Sequence, residues 1–257
     1  MLLTKNKNIF YIISVFALLM IFFSDAVFAQ GIHIDLDSSG SEKTFFTDKI
    51  IQTIGLITIL SLAPAILIMV TSFTKIVVVF SILRHALGLQ QTPPNMVMIS
   101  LSLFLTFFIM GPTFQKSYDN GLLPLINNQM TEDVAWEQIT SPFKKFMKRN
   151  TREKDIDLFV AMSKEGGSEE LQKDDLPMHV ITPSFMLSEL RRGFEIGFLI
   201  YLPFLIIDLV VASVLMGMGM MMLPPVVISL PFKLIFFVLI DGWYMLSGSL
   251  VKSYGIG

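Results

Sequence analysis

The stretch PFLIIDLVVASVLMGMGMMMLPP (203–225) decides how this chain folds. It is apolar apart from Asp208, and it ends in MGMGMMMLPP (216–225), with five methionines, two glycines and two prolines. Pro224 and Pro225 stop one helix and permit another to start. Beyond them LPFKLIFFVLIDGW (230–243) is apolar again. Two apolar helices around a breaking turn predict a helical hairpin with a methionine-rich apex. The block opens at Thr182-Pro183, a cap followed by proline at the first helical position, and runs to about Leu250. Glu195, Asp208, Lys233 and Asp241 lie inside it. Charges at membrane depth cost about 2.5–3.5 kcal/mol each, so they mark paired or functional positions. Asp208 is twelve residues before Met220 and Lys233 twelve after Met221. With the apex between those methionines, both sit at similar depth on facing helices. An Asp208–Lys233 ion pair is expected, the alternative being that each pairs with a neighbouring subunit.

Upstream lies a second apolar block. Residues 50–70 form an uncharged run long enough to span a membrane, in which Pro64 predicts a kink. TSFTK (71–75) interrupts the run, bringing Lys75 into apolar surroundings, and residues 76–83 resume it. Arg84 and His85 begin a turn that closes in QQTPPN (90–95), where Pro93-Pro94 follow Gln90 and Gln91. Residues 96–110 are apolar and end at Gly111-Pro112. This is a first hairpin, 50–112. Its turn, GLQQTPPN, shares little with GMGMMMLPP beyond the double proline.

Residues 113–182 read as a small water-facing helical domain. Thr131 is an expected N-cap ahead of Glu132 and Asp133, with Pro142 restarting that helix and Thr151 capping a second one. The basic run KKFMKRNTREK (144–154) is read as a solvated helix face balanced by Glu153, Asp155 and Asp157, and not as a nucleic-acid or anionic-lipid site. KEGGSEELQKDDLP (164–177) is a polar loop.

Composition fixes the class. Of 257 residues 53% are hydrophobic and 16% charged, with mean hydropathy +0.66; soluble domains carry roughly a quarter charged residues. A net charge of −2 excludes a nucleic-acid binder built on clustered Lys and Arg. With no cysteine there is no disulfide or thiolate metal site, and the three histidines lack the i, i+4 spacing of a helical zinc site. No metal and no cofactor is expected. HExxH, nucleophile-elbow and phosphate-loop patterns are absent, so an enzyme is not expected.

The N-terminus reads as a secretory signal peptide over 1–29. Lys5 and Lys7 form a basic region, residues 9–23 an apolar core, and Val27 and Ala29 a cleavage site before Gln30. An uncleaved signal anchor is the alternative. Residues 30–49 are a short acidic lead-in. With the N-terminus outside, Arg84 falls on the cytoplasmic side as positive residues prefer, whereas Arg191 and Arg192 fall outside, against that rule.

TSFTK (71–75), LRHALGLQQTPPN (83–95), PSFMLSELRRGFEIGF (183–198), PFLIIDLVVASVLMGMGMMMLPP (203–225), LPFKLIFFVLIDGW (230–243) and SLVKS (249–253) together resemble the FliP family of flagellar and type III secretion export-gate subunits. The resemblance spans about residues 50–253; TREKD (151–155) is also similar. It implies an all-α membrane protein: two long kinked helical hairpins, 50–112 and 183–257, with the extracytoplasmic helical domain 113–182 between them. It implies a homo-oligomer completed by FliQ-like and FliR-like subunits in the bacterial inner membrane, within the flagellar basal body and beside other export-apparatus proteins. The central domain would lie on the periplasmic side, and the hairpins would contact protein as well as membrane lipid. Unfolded flagellar proteins would pass through the pore. Met216, Met218, Met220, Met221 and Met222 would form its gate, with Gly217, Gly219, Pro224 and Pro225 as the hinge. Methionine packs against changing apolar surfaces and an apolar collar resists ions by dewetting; read from residues alone, the same methionines fill gaps between helices. A secondary transporter or ion channel using Asp208, Glu195 and Lys233 is the alternative function.

Overall fold

The computed structural model describes residues 43–165, 176–220 and 222–255. The signal-peptide and cleavage-site readings, most of the lead-in, most of the 164–177 loop and Met221 lie outside them. The chain divides into two units, 1–55 and 56–257. Of the first, the described part is the start of helix α1 (Lys43–Met69).

All described elements of the second unit are helical. They are the remainder of α1, then α2 (Phe73–Ala86), α3 (Asn95–Ser117), a π-helical turn (Tyr118–Leu122) running into α4 (Leu123–Ile126), α5 (Glu132–Asn150), α6 (Glu153–Glu165), α7 (Met178–Gly217), α8 (Pro225–Leu239) and α9 (Gly242–Lys252). The pair α2 and α7 forms the centre. Helix α2 buries Ile76, Val79, Phe80 and Leu83 completely or nearly so, the i, i+3, i+4, i+7 stripe of a core helix. It runs parallel to α7, whose Gly193 and Gly197 meet Val78 and Ile82. These two glycines form a small-xxx-small step that lets helices approach closely, the packing mode on which apolar helices rely when lipid removes the hydrophobic drive. A Cβ at Gly193 would lie 3.2 Å from Val78 Cγ1, and one at Gly197 would overlap Ile82. Helix α3 packs against α2, and α5, α6 and α8 pack against α7.

Several boundaries differ from expectation. The bend of 68° in the first block falls at Val70–Ser72, beyond Pro64, which sits inside α1. Helix α2 continues through Arg84 and His85 to Ala86, because Leu83 and Ala86 are core residues that reward the extra turn. Helix α3 passes Gly111-Pro112 and ends at Ser117; Ile109 and Met110 are buried just before that pair and hold the helix together. Helix α5 likewise runs through Pro142 without a restart. Thr151 does not cap α6: its hydroxyl donates to Met147 O of the preceding helix at 2.7 Å. Helix α7 begins at Met178 after Pro177, so Pro183 lies within it, since Val180, Ile181 and Ser184 are already buried.

Among the described residues two helical segments are long and apolar enough to cross a membrane, Asn95–Ile126 and Met178–Gly217, or up to four if each bent pair is one span. Helix α7 has 40 residues, a length of roughly 60 Å. That is about twice the hydrocarbon thickness of a bilayer.

Candidate functional site: an exposed methionine apex and two buried charged clusters

The apex is built by its helix ends. Helix α7 closes with Gly219 N–H donating to Met216 O and Met220 N–H to Leu215 O, both at 3.0 Å. Gly219 has φ +76°. These two bonds and a left-handed glycine are a Schellman cap, which satisfies carbonyls the helix would leave open. Gly217 is still helical and Gly219 is the residue that turns the chain. Pro224 then precedes α8 and Pro225 is its first residue. Between them the methionines face outward: Met216 is 59% exposed, Met218 60%, Met220 44% and Met222 98%. Nothing lies within 4 Å of Gly217 or Gly219 on the side a Cβ would take.

The first turn has the same construction. Gly88 has φ +75°, its N–H donates to His85 O at 3.0 Å, and Leu89 N–H donates to Arg84 O at 3.2 Å. In both turns the left-handed glycine stands five residues before a double proline, Gly88 before Pro93-Pro94 and Gly219 before Pro224-Pro225. The two turns therefore share more than the prolines. Arg84 closes the first one, its guanidinium donating to Asn95 Oδ1 at 2.5 Å and Pro93 O at 3.4 Å. Gln90 and Gln91 are exposed, and the Thr92–Pro93 peptide is cis.

Below the apex Asp208 and Lys233 meet. Lys233 Nζ lies 2.7 Å from Asp208 Oδ2 and also donates to Ala86 O at 3.0 Å. Ser229 donates to Asp208 Oδ1 at 2.5 Å. Ala86 is the last residue of α2, where unpaired carbonyls and the helix dipole favour a cation. One ammonium thus ties α2, α7 and α8 together. The register argument reaches Asp208 and Lys233 but not Ala86 O or Ser229. Ser229 was readable, being four residues before Lys233 on the same helical face.

A second cluster sits at the other end of α2. Lys75 Nζ is 3.8 Å from Glu189 Oε1, both side chains being almost fully buried, and 3.4 Å from the ring centroid of Tyr254. The Tyr254 hydroxyl donates to Glu189 Oε2. Nearby, Ser188 donates to Asp155, and Arg152 grips Asp155 at 2.8–2.9 Å. Glu189 and Tyr254 escape a reading of the sequence alone, because they meet 65 residues apart along the chain.

The remaining charges are separate. Glu195 pairs with Arg191 at 2.8 Å on an exposed face. Asp241 is exposed, with φ 49° at the 61° bend between α8 and α9. A transporter site at Asp208, Glu195 and Lys233 would need these groups open to a substrate, whereas each is bonded within the chain. Among the described residues no group of side chains could hold a metal ion.

The profile of the FliP family matches residues 56–250. The flagellar biosynthetic protein FliP of Agrobacterium fabrum is 57% identical over 205 residues, covering 80% of this chain and 84% of that protein. FliP of Caulobacter vibrioides is 56% identical over 211 residues, covering 82% and 79%. FliP of Bacillus subtilis is 50% identical over 217 residues, covering 84% and 96%. The matched region holds the apex, both Schellman turns and the Asp208–Lys233 and Lys75–Glu189 pairs, and on this evidence the chain belongs to the FliP family, components of flagellum biogenesis and not enzymes.

Proposed function

We propose that copies of this chain join FliQ-like and FliR-like subunits in a ring in the bacterial inner membrane, within the flagellar basal body. Its pore passes unfolded flagellar proteins, and the apexes close it. The central region, 113–182, faces the periplasm. The observation that carries this reading is the apex itself: a run of methionines held out from the bundle between a Schellman cap and a double proline, with Met222 98% exposed. A lone chain gains nothing by presenting the apolar side chains of Met216, Met218, Met220 and Met222 to its surroundings. A ring of such apexes makes a collar that excludes ions by dewetting, and flexible thioether side chains reshape around a passing polypeptide.

The test is deletion of Met220–Met222 in the intact complex. Vesicles carrying the assembled variant should leak small ions while the ring is retained. A variant that assembles, stays ion-tight and exports normally would place the gate elsewhere.

A further inference from the structure

Tyr254 lies in α9's closing turn, and it touches four other parts of the fold. Its ring stacks on Phe146 of α5 with centroids 5.7 Å apart and planes 20° apart. Lys75 of α2 stands 3.4 Å from its ring centroid. Its hydroxyl donates to Glu189 of α7 and is 3.5 Å from Ser72 O, inside the break between α1 and α2. Arg149 of α5 donates to its backbone carbonyl at 2.7 Å. The turn that delivers it is fixed by Tyr254 N–H to Val251 O at 3.1 Å and Gly255 N–H to Lys252 O at 2.9 Å, with Gly255 at φ +73°.

Across the break itself the Thr74 hydroxyl of α2 donates to Ile68 O of α1 over a long 3.4 Å. Thr71 and Ser72 are fully buried, yet among the described residues Thr71 Oγ1, Ser72 Oγ and Glu189 Oε1 have no hydrogen-bond partner. Lys75 and Glu189 are too far apart for a direct hydrogen bond at 3.8 Å. Buried polar groups without partners are costly, so the packing around them must be imposed from outside. Tyr254 is the side chain that fills this place and gives both Glu189 and Lys75 a partner.

We propose that Tyr254 is a positioning residue that locks the bend at Thr71–Ser72, so setting the direction in which α1 leaves α2. Through Arg149 and Phe146 it couples that direction to α5. Movement of the central region would then reach the first apolar helix through one phenol. The apex is expected to be untouched, because the hydrogen bonds and ring contacts of Tyr254 among the described residues go to α2, α5, α7 and Ser72.

Hydrogen exchange on the full chain tests this, comparing Tyr254→Ala and Tyr254→Phe with the native protein. Peptides spanning residues 68–78 should exchange at least tenfold faster in the alanine variant. The phenylalanine variant keeps the ring stack but loses the hydroxyl, and should fall between. Peptides from the apex and α8 should be unchanged in both. Spin labels at Leu60 and Trp136, both exposed, should report a shifted or broadened distance in the alanine variant. No acceleration at 68–78, or equal acceleration everywhere, would overturn the proposal. The second outcome would make Tyr254 an ordinary core residue.

Discussion

At the scale of single residues, the Lys233 cluster shows how a buried charge is kept in an apolar bundle. Its ammonium has two acceptors, one ionised and one a helix-end carbonyl. The carboxylate of Asp208 has two donors, Lys233 and Ser229. Neither is bare, and that arrangement makes an ion pair tolerable away from water. The pair is asymmetric: Lys233 is 3% exposed and Asp208 22%. Removing one partner of a buried pair costs about 3–5 kcal/mol. Lys233→Met should approach that loss, because it strips Asp208 and Ala86 O together. Asp208→Asn should cost less, since Lys233 keeps Ala86 O. Exchanging the charges should rescue assembly only in part, because a carboxylate at 233 would face Ala86 O. Thermal unfolding of the purified variants ranks them. If Asp208→Asn were the more damaging change, the carbonyl contact would not be holding Lys233.

At the scale of elements, the helix ends carry more of the fold than the helix interiors. Both inter-helix turns, α2 to α3 and α7 to α8, hold a left-handed glycine five residues ahead of a double proline. A non-glycine residue in the left-handed region costs about 1–2 kcal/mol. Gly219→Ala and Gly88→Ala should therefore each lower the melting temperature by roughly 2–8 °C. Gly217→Ala should be neutral or slightly stabilising, because its site is helical and open and alanine is the better helix former. Equal melting of all three would mean the caps do not hold the turns. The all-helical class and the two turns were legible in the sequence because apolar runs, proline and glycine act locally. The pairing of Asp208 with Lys233 was legible because a closed hairpin fixes register. Glu189 was not: its partners come from α2 and from the end of α9, and no local period announces them. Helix boundaries differ from expectation at three prolines that the helices carry through, 112, 142 and 183; at 112 and 183 packing of neighbours such as Met110 and Ile181 outweighs one missing backbone bond.

At the scale of the whole molecule, the chain leaves its longest helix largely uncovered. Only 11% of the apolar window of α7 is buried within the chain, against 28% for Asn95–Ile126. Phe194, Phe198, Ile206, Leu209 and Val210 are each at least 57% exposed along it. Lipid can cover about 30 Å of such a surface, and α7 is roughly twice that length. The Arg191–Glu195 pair stands on its exposed side, where hydrocarbon would be a costly neighbour. The outer face of α7 therefore asks for protein cover, which the proposed ring supplies. With FliQ-like and FliR-like partners co-expressed, native mass spectrometry of a detergent extract should find this chain in a multi-copy complex. Phe198→Asn should lower the complex yield several-fold while leaving the unfolding temperature of the isolated chain unchanged, because that side chain is 61% exposed and lies outside the chain's own core. A lipid-facing phenylalanine would give a different result: the complex would keep its yield, and the chain would insert poorly. An extract holding only single copies would refute the ring and leave the apex without a pore to close.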